Sequence, residues 1–251
     1  SLGATGCNAI EHVSATGDDR GGIAVSSARV FYTGDSATGR FGLDLSSPAS
    51  VGVVYDALTS DLASGQVYSL GVGASTVAPS GGGTITHLLA IDGTTGALTG
   101  ASIALSTPIS VTSGSGIFAG MGRVVIHNGS RVYSISLPSG VVTDVGSVAA
   151  PTHTTCESWA YWGVAEYFGG ALYITYVRDS ANIERMAVPS GTRAVIATFS
   201  SLSDMCSFTV SPSTNRWYFH HEGGSQFRSG DEPTGYGTAA VTTGGASGTL
   251  G

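Results

Sequence analysis

The fold is decided by residues 122–148, which read GRVVIHNGSRVYSISLPSGVVTDVGSV. The short apolar run Arg123–His127 ends in Asn128-Gly129, the dipeptide that most readily supplies the two positive φ angles of a type I′ hairpin turn. Beyond this turn, apolar residues alternate with serine over residues 133–137, and a period of two indicates a strand instead of a helix. Pro138-Ser139-Gly140 then breaks the run, and a third strand follows. The stretch therefore predicts a β-meander.

The same succession of strands and turns recurs along the chain. The marker is the apolar residue before the turn between the third and fourth strands, found at Leu45, Ile91, Leu137 and Val188, with a fifth expected near Gly230. The first three intervals are 46, 46 and 51 residues. Self-similarity at such a period, with four strands in each repeat, is typical of a β-propeller.

The turns themselves resemble those of the broad β-propeller repeat superfamily, in which a small-residue turn of the D-x-x-T-G or L-P-S-G type follows the third strand. Asp92-Gly93-Thr94-Thr95-Gly96 has the first form and Leu137-Pro138-Ser139-Gly140 has the second. The resemblance covers most of the chain and implies a propeller fold, but it identifies no specific family and no substrate.

We therefore predict an all-β protein, a β-propeller of five four-stranded blades. Each meander is apolar on both faces, and a ring buries both faces of every sheet between two neighbours. A β-sandwich and a β-solenoid are the alternatives. The propeller is expected to span residues 18–242. Residues 1–17 contain one strand-like piece, 9–13, which either closes the ring as an outer strand or caps it, and residues 243–251 have the composition of a linker.

The charge balance argues against two classes of partner. The chain carries 17 acidic residues and 10 arginines, has no lysine, and has a formal net charge of −7. Because the arginines are spread singly along the sequence, we expect no basic patch and hence no nucleic-acid partner. No apolar run approaches the roughly 20 residues that a membrane-spanning helix needs, so no membrane insertion is expected.

The cysteines bear on the compartment. Cys156 and Cys206 each precede a predicted strand at equivalent places in successive repeats, so a disulfide between them is expected, and with it a secreted or cell-surface location. The alternative is two buried thiols that pack as small hydrophobic groups. The role of Cys7 stays open.

Acidic residues recur in the loops that lead into the first strand of the predicted blades. These residues are Asp18, Asp19, Asp61, Glu157 and Asp204. One hypothesis is a cation site for Ca²⁺ built from Asp18, Asp19, Asp61 and Asp204, although no cofactor is firmly indicated. A second hypothesis makes Asp19, Glu157 and Asp204 a catalytic carboxylate set. The structural alternative is that these aspartates cap backbone amides in turns.

A ligand-binding role is expected for a second group of residues: Arg20, Trp159, Trp162, His221 and Glu222. Aromatic faces beside acids suit sugars, because ring C–H surfaces stack on aromatics while hydroxyl groups need hydrogen bonds. Packing between blades is the structural alternative for the two tryptophans.

The sequence favours a binding or adhesion module that recognises a glycan or protein ligand on the loop face carrying these acids. The loops that join second and third strands, among them Arg178-Asp179-Ser180, are expected to open on the same face. No G-x-S-x-G or C-x-x-C motif occurs, and the Gly-rich segments open no helix that could cradle a nucleotide. The alternatives are a five-bladed glycoside hydrolase or lyase, and a structural repeat subunit of an extracellular assembly, which would self-associate. Asn128-Gly129-Ser130 matches a glycosylation acceptor, but the predicted hairpin turn explains it better.

Overall fold

The structure is a computed structural model. It describes residues 8–9, 11–12, 23–33, 38–44, 46–55, 57–61, 64–79, 82–112, 115–128, 130–148, 164–168, 171–178, 182–198, 205–211, 216–221, 227–231 and 241–242.

Strands make up most of the described chain. Those before residue 113 are β1 (Asn8–Ala9), β2 (Glu11–His12), β3 (Ile23–Val25), β4 (Arg29–Thr33), β5 (Thr38–Gly42), β6 (Ala49–Ser50), β7 (Leu58–Asp61), β8 (Gln66–Gly73), β9 (Thr76–Val77), β10 (Gly82–Ile91) and β11 (Leu98–Thr112). Those after it are β12 (Gly116–Gly120), β13 (Arg123–His127), β14 (Arg131–Ser136), β15 (Val142–Ser147), β16 (Val164–Phe168), β17 (Ala171–Val177), β18 (Asn182–Val188), β19 (Arg193–Thr198), β20 (Met205–Ser211), β21 (Arg216–His221), β22 (Phe227–Asp231) and β23 (Val241–Thr242).

These strands pair into five antiparallel sheets over the residues that the structure describes. Each sheet is a meander of four strands in chain order: sheet I is β3–β6, sheet II is β7, β8, β10 and β11, sheet III is β12–β15, sheet IV is β16–β19, and sheet V is β20–β23. The all-β class and the four-stranded repeat are therefore confirmed. No helix in these residues is long and apolar enough to cross a membrane.

The chain divides into two units. Residues 11–147 form one, which contains sheets I to III, and residues 1–10 with 148–251 form the other, which contains sheets IV and V. The strand-like N-terminal piece does pair, but with first strands instead of outer ones: β2 adds to β12 in the first unit, and β1 adds to β16 in the second.

Sheet II shows why the meander is the unit of this fold. Its neighbouring residues Val67 and Tyr68 point to opposite faces and belong to different hydrophobic clusters. Val67 packs with Phe31 of sheet I, and Tyr68 lies in the cluster that holds Val124 of sheet III. Sheet II is thus buried on both faces, as the sequence predicts for an inner repeat.

One turn geometry recurs between the third and fourth strands. Glycine donates its backbone N–H to the carbonyl four residues earlier at Gly96, Gly140 and Gly191, at 2.9, 2.8 and 2.8 Å. All three glycines have positive φ, from +71° to +80°. The hydrogen bonds align Ile91 with Ile135 and Met186, so the predicted markers Leu137 and Val188 are each two residues out of register. The interval after Ile91 is therefore 44 residues instead of 46, and the next interval stays at 51. Leu45 lies outside the described residues.

These turns also dock on the preceding sheet. Tyr55 Oη donates to the Gly96 carbonyl at 2.8 Å, and the backbone N–H of Ser106 in sheet II donates to the Gly140 carbonyl at 2.9 Å. Burial raises the pKa of Tyr55 to about 12, so the hydroxyl stays a donor in any ordinary buffer. The turns therefore help to hold neighbouring sheets together.

One predicted strand is misplaced. The apolar residues 51–55 were predicted as a strand, but they form the irregular crossing from sheet I, and β6 ends at Ser50. Two first strands were not predicted: β7 in sheet II and β16 in sheet IV. The predicted Leu62-Ala63 element and residues 158–163 of the predicted strand 158–164 lie outside the described residues.

The hairpin at Asn128 also differs from the prediction. Asn128 Oδ1 accepts the backbone N–H of Arg131 at 2.9 Å, and its Nδ2 donates to the Ser110 carbonyl at 3.1 Å. The Asn128 side chain therefore helps to close the turn, and Asn128 itself does not have the predicted positive φ, while Gly129 lies outside the described residues. Within the described part of the chain, Met121-Gly122 is a two-residue hairpin with positive φ at both positions, +50° and +68°.

The docking role of Gly140 is testable with Gly140→Ala. A Cβ there would lie 2.0 Å from the Ala104 carbonyl oxygen, whereas one at Gly122, which also has positive φ, meets nothing within 4 Å. We expect Gly122→Ala to cost about 1 to 2 kcal/mol for its left-handed backbone. Gly140→Ala should cost about 1 to 3 kcal/mol more, through the clash with sheet II. Denaturant unfolding measures both, and equal losses would show that the turn does not depend on that contact.

Candidate functional site

Most residues of the predicted site lie outside the described residues: Asp18, Asp19, Arg20, Cys156, Glu157, Trp159, Trp162, Asp204 and Glu222. Their roles stay predictions. Cys206 lies in β20 at a bulge, between the register pairs of Met205 and Ser207. His221 is the last residue of β21 and pairs with Met205.

Asp61 is the predicted site residue that the structure places. It is the last residue of β7, not part of a loop that leads into the first strand, so the predicted location is wrong. Its carboxylate accepts a hydrogen bond from Ser64 Oγ at 2.7 Å, and its backbone carbonyl accepts from the Gly65 N–H at 2.7 Å. Asp61 is therefore part of the β7–β8 turn. Over the described ranges, no three His, Cys, Asp or Glu side chains are grouped so that they could hold a metal ion.

The strongest polar constellation in the described chain was not predicted as a site. It consists of Tyr176 on β17, Arg178 just after it, Glu184 on β18 and Arg193 on β19, and is here named the Glu184 cluster. Tyr176 and Glu184 are register partners, and their side chains lie on the same face of sheet IV. The cluster is thus assembled by strand pairing from residues up to 17 positions apart in the sequence.

The centre of the cluster is a buried carboxylate. Glu184 is 8% exposed and Tyr176 is 3% exposed, and the Tyr176 hydroxyl donates a short hydrogen bond to Glu184 Oε1. Burial, and then this hydrogen bond, raise the pKa of Tyr176. The tyrosine therefore remains a neutral donor, and its proton stays directed at the carboxylate.

Two arginines surround that carboxylate from the solvent side. Arg178 Nη1 lies 3.6 Å from Glu184 Oε2, and Arg193 Nη1 lies 4.0 Å from Glu184 Oε1. Their side chains are 46% and 34% exposed. Since Arg178 follows the second strand of sheet IV, it stands on a loop joining second and third strands, the class of loop that the sequence assigns to the ligand face. A buried anion thus holds two accessible guanidinium groups in place.

The opposite face of sheet IV carries a buried cation. Arg185 is fully buried, its Nε donates to Thr175 Oγ1 at 3.4 Å, and its guanidinium carbon lies 5.5 Å from the centre of the Tyr173 ring. Adjacent residues in a strand point to opposite faces, so Glu184 and Arg185 belong to different environments. Of these two groups, the Glu184 cluster is the one that combines buried and accessible charges.

The sequence held one weak signal for this site. Arg178-Asp179-Ser180 was among the second-to-third strand loops of the predicted ligand face, but Glu184 and Arg193 read as ordinary exposed charges of alternating strands. Their convergence depends on the pairing of β17, β18 and β19, and on the burial of a glutamate that a pattern would place in solvent.

Comparisons with known proteins give the fold and no family. No protein-family model matches the sequence, and no curated protein does so either. A functionally unknown protein from Desulfotomaculum acetoxidans has a TM-score of 0.52 at 12% identity, covering 88% of this chain and 68% of that one. Hsv2 from Kluyveromyces lactis has a TM-score of 0.52 at 7% identity, covering 88% and 62%.

BamB from Moraxella catarrhalis is similar at a TM-score of 0.45 and 14% identity, covering 90% of this chain and 64% of that one. The chain thus spans roughly two thirds of the length of these solved proteins. At such low identity the likeness indicates a propeller-like all-β fold of no specific family.

The buried charge of the Glu184 cluster can be tested with Glu184→Gln. Glutamine keeps the size and can still accept from Tyr176, but it removes the negative charge between Arg178 and Arg193. We expect unfolding free energy to fall by about 1.5 to 3 kcal/mol, the value of hydrogen bonds to a charged group.

The matched control is Asp144→Asn. Asp144 pairs with Arg131 at 2.6 Å, but both side chains are more than 40% exposed. An exposed pair contributes at most about 1 kcal/mol, so this change should matter little. Equal losses for the two variants in urea unfolding would contradict the assignment of Glu184 as a buried anchor.

Proposed function

We propose that this protein is a binding module of the secreted or cell-surface kind, which recognises a glycan or protein ligand through the loop face of its sheets. The observation that carries the proposal is the position of Arg178. Its guanidinium is 46% exposed on a loop between second and third strands, and the buried carboxylate of Glu184 orients it. Loops held by a rigid sheet are where binding residues collect.

The chemistry of the cluster narrows the ligand. A guanidinium presents N–H donors in a rigid fork that matches the two oxygens of a carboxylate. Arg178 and Arg193 each place a partly exposed, positively charged guanidinium beside Glu184. The ligand group that complements them is an acidic one, such as the carboxylate of a uronic or sialic acid, or an acidic side chain of a protein.

A preorganised site also lowers the cost of binding. The side chain of an arginine loses rotamer freedom when it binds a ligand, and this loss reduces affinity. Glu184, itself held by Tyr176, restricts the guanidinium groups before the ligand arrives. This division of roles, in which a buried pair orients an accessible group, is what a recognition site requires.

The test compares Arg178→Ala with Arg131→Ala on a glycan array that contains uronic, sialylated, sulfated and neutral glycans, together with acidic peptides. Arg131 is a suitable control, since its side chain is also 46% exposed but it pairs with Asp144 on the surface of sheet III. We expect Arg178→Ala to lose about tenfold or more in affinity for the acidic ligand, the loss of one charge-assisted contact. Arg131→Ala should leave the affinity unchanged.

Two outcomes would overturn the proposal. One is the absence of any bound ligand on the array and among the peptides. The other is turnover of a glycan, which would favour the glycoside hydrolase or lyase hypothesis.

The predicted Cys156–Cys206 disulfide belongs to the same proposal of an extracellular module, and a mass measurement with and without reductant detects it.

We further propose that the five sheets are the five blades of one closed propeller. The support is the identical strand order of the sheets, the repeated turn of Gly96, Gly140 and Gly191, and the burial of sheet II on both faces. A single ring of 251 residues should have a radius of gyration of about 18 Å by the general scaling of compact domains. Solution X-ray scattering measures it, and a value of about 25 Å or a bilobed distance distribution would contradict closure.

A further inference from the structure

A second polar group lies in sheet III, in the unit that does not contain the Glu184 cluster. Arg123 is the first residue of β13, and it pairs in register with Ser136 of β14. Its Nη1 donates to Ser136 Oγ at 3.1 Å and to Ser134 Oγ at 3.2 Å. Serines two residues apart on a strand lie on one face, so all three side chains share that face.

The charge of Arg123 has no counterpart among the groups it touches. Arg123 as a residue is half-buried, and within the described part of the chain the polar partners of its guanidinium are the two neutral hydroxyls. The next arginine of the same sheet, Arg131, instead donates its Nε to Asp144 Oδ2 at 2.8 Å. A partly desolvated charge is costly unless an opposite charge compensates it. The described groups that contact Arg123 therefore do not neutralise its positive charge.

Arg123 and Ser136 offer donors to such an anion, and the buried Ser134 holds the guanidinium in place. A serine hydroxyl that accepts a hydrogen bond still has its own O–H to give, and a guanidinium has five N–H donors, of which the serines use only those on Nη1. Ser134 is fully buried, so its position is fixed by the sheet. No nitrogen of Arg123 is among the fully buried, unpartnered atoms of the described residues. The rest of the fork is therefore open to solvent.

We propose that Arg123, with the hydroxyl of Ser136, forms a binding site for an oxyanion: the carboxylate, sulfate or phosphate group of a ligand. The planar fork of arginine matches two oxygens of any of these groups, the Ser136 hydroxyl supplies a further donor, and the buried Ser134 positions the guanidinium. This site is independent of the proposed function, because its residues belong to the other unit and to a different sheet.

The experiment is a ¹H–¹⁵N NMR titration of the full chain with sodium sulfate, phosphate or acetate, at an ionic strength held constant with sodium chloride. Constant ionic strength separates a specific site from general screening. We expect saturable shifts at the amides of β13 and β14 with at least one of the three anions. The anion that binds most tightly identifies the source of the oxyanion.

Two variants locate the effect. Arg123→Gln should weaken the anion affinity by about tenfold or more, and Ser136→Ala by a smaller factor, because each removes donors to the anion. Arg131→Gln, in the same sheet, should leave it unchanged. Similar shifts in Arg123→Gln and in the wild type, or shifts that grow linearly without saturation, would overturn the proposal.

Thermal unfolding without added oxyanion separates binding from a structural role. If the role of Arg123 is to bind a ligand, its replacement by neutral glutamine removes an uncompensated charge. The melting temperature of the unliganded protein should then stay the same or rise. In the wild type, the oxyanion that binds should raise the melting temperature, since it binds the folded state alone. A marked fall in melting temperature for Arg123→Gln, with no anion-dependent rise in the wild type, would assign Arg123 to the scaffold and refute the site.

Discussion

The structure depends on one constraint: a four-stranded sheet that is apolar on both faces must pack against a neighbour on each face. Sheet II meets it by packing Val67 against the cluster of sheet I and Tyr68 against the cluster that includes sheet III. Since burial of apolar surface is the dominant favourable term in folding, a repeat of this kind gains its stability from its neighbours and not from itself. The stacking order of the sheets follows from that need.

The turn after the third strand is where the backbone conformation permits this close packing. Gly96 and Gly140 both have positive φ, and a Cβ on either would clash with the preceding repeat, at 2.7 Å from Val51 Cγ2 and 2.0 Å from the Ala104 oxygen. Both glycine carbonyls also accept a hydrogen bond from that repeat. The glycines thus serve two purposes at once, a left-handed backbone and a close approach. The outer edge of β11 is also protected from pairing with another strand. The Ser106 N–H donates to the Gly140 carbonyl, the Ser110 carbonyl accepts from Asn128 Nδ2, and Pro108 has no N–H.

The polar residues divide into those that shape the fold and those that remain accessible. Asp92 accepts from the Thr95 and Thr94 amides and from the Thr95 hydroxyl, and these bonds lower its pKa. Such an aspartate belongs to its turn, as the structural alternative for the acidic residues supposed, and Asp61 is bound into a turn as well. Glu184 differs, because it is buried among a tyrosine and two arginines whose outer surfaces reach solvent. This combination of buried and accessible charge is the basis of the proposed recognition site.

The sequence by itself determined the all-β class, the four-strand repeat and most strands from β8 to β15, because a period of two and the chemistry of glycine and proline turns act between residues close in the chain. Only the tertiary structure decided that Leu58–Asp61 is a strand, since Ser60 is buried as the acceptor of the Val25 amide, 35 residues away. It likewise decided that the Asn128 side chain bonds both to the Arg131 amide within its turn and to the distant Ser110 carbonyl. The contacts of Glu184 with Tyr176, Arg178 and Arg193 also depend on the tertiary structure. A local pattern records how often a residue is polar, but whether that polar group can be buried depends on a partner that folding brings from elsewhere in the chain.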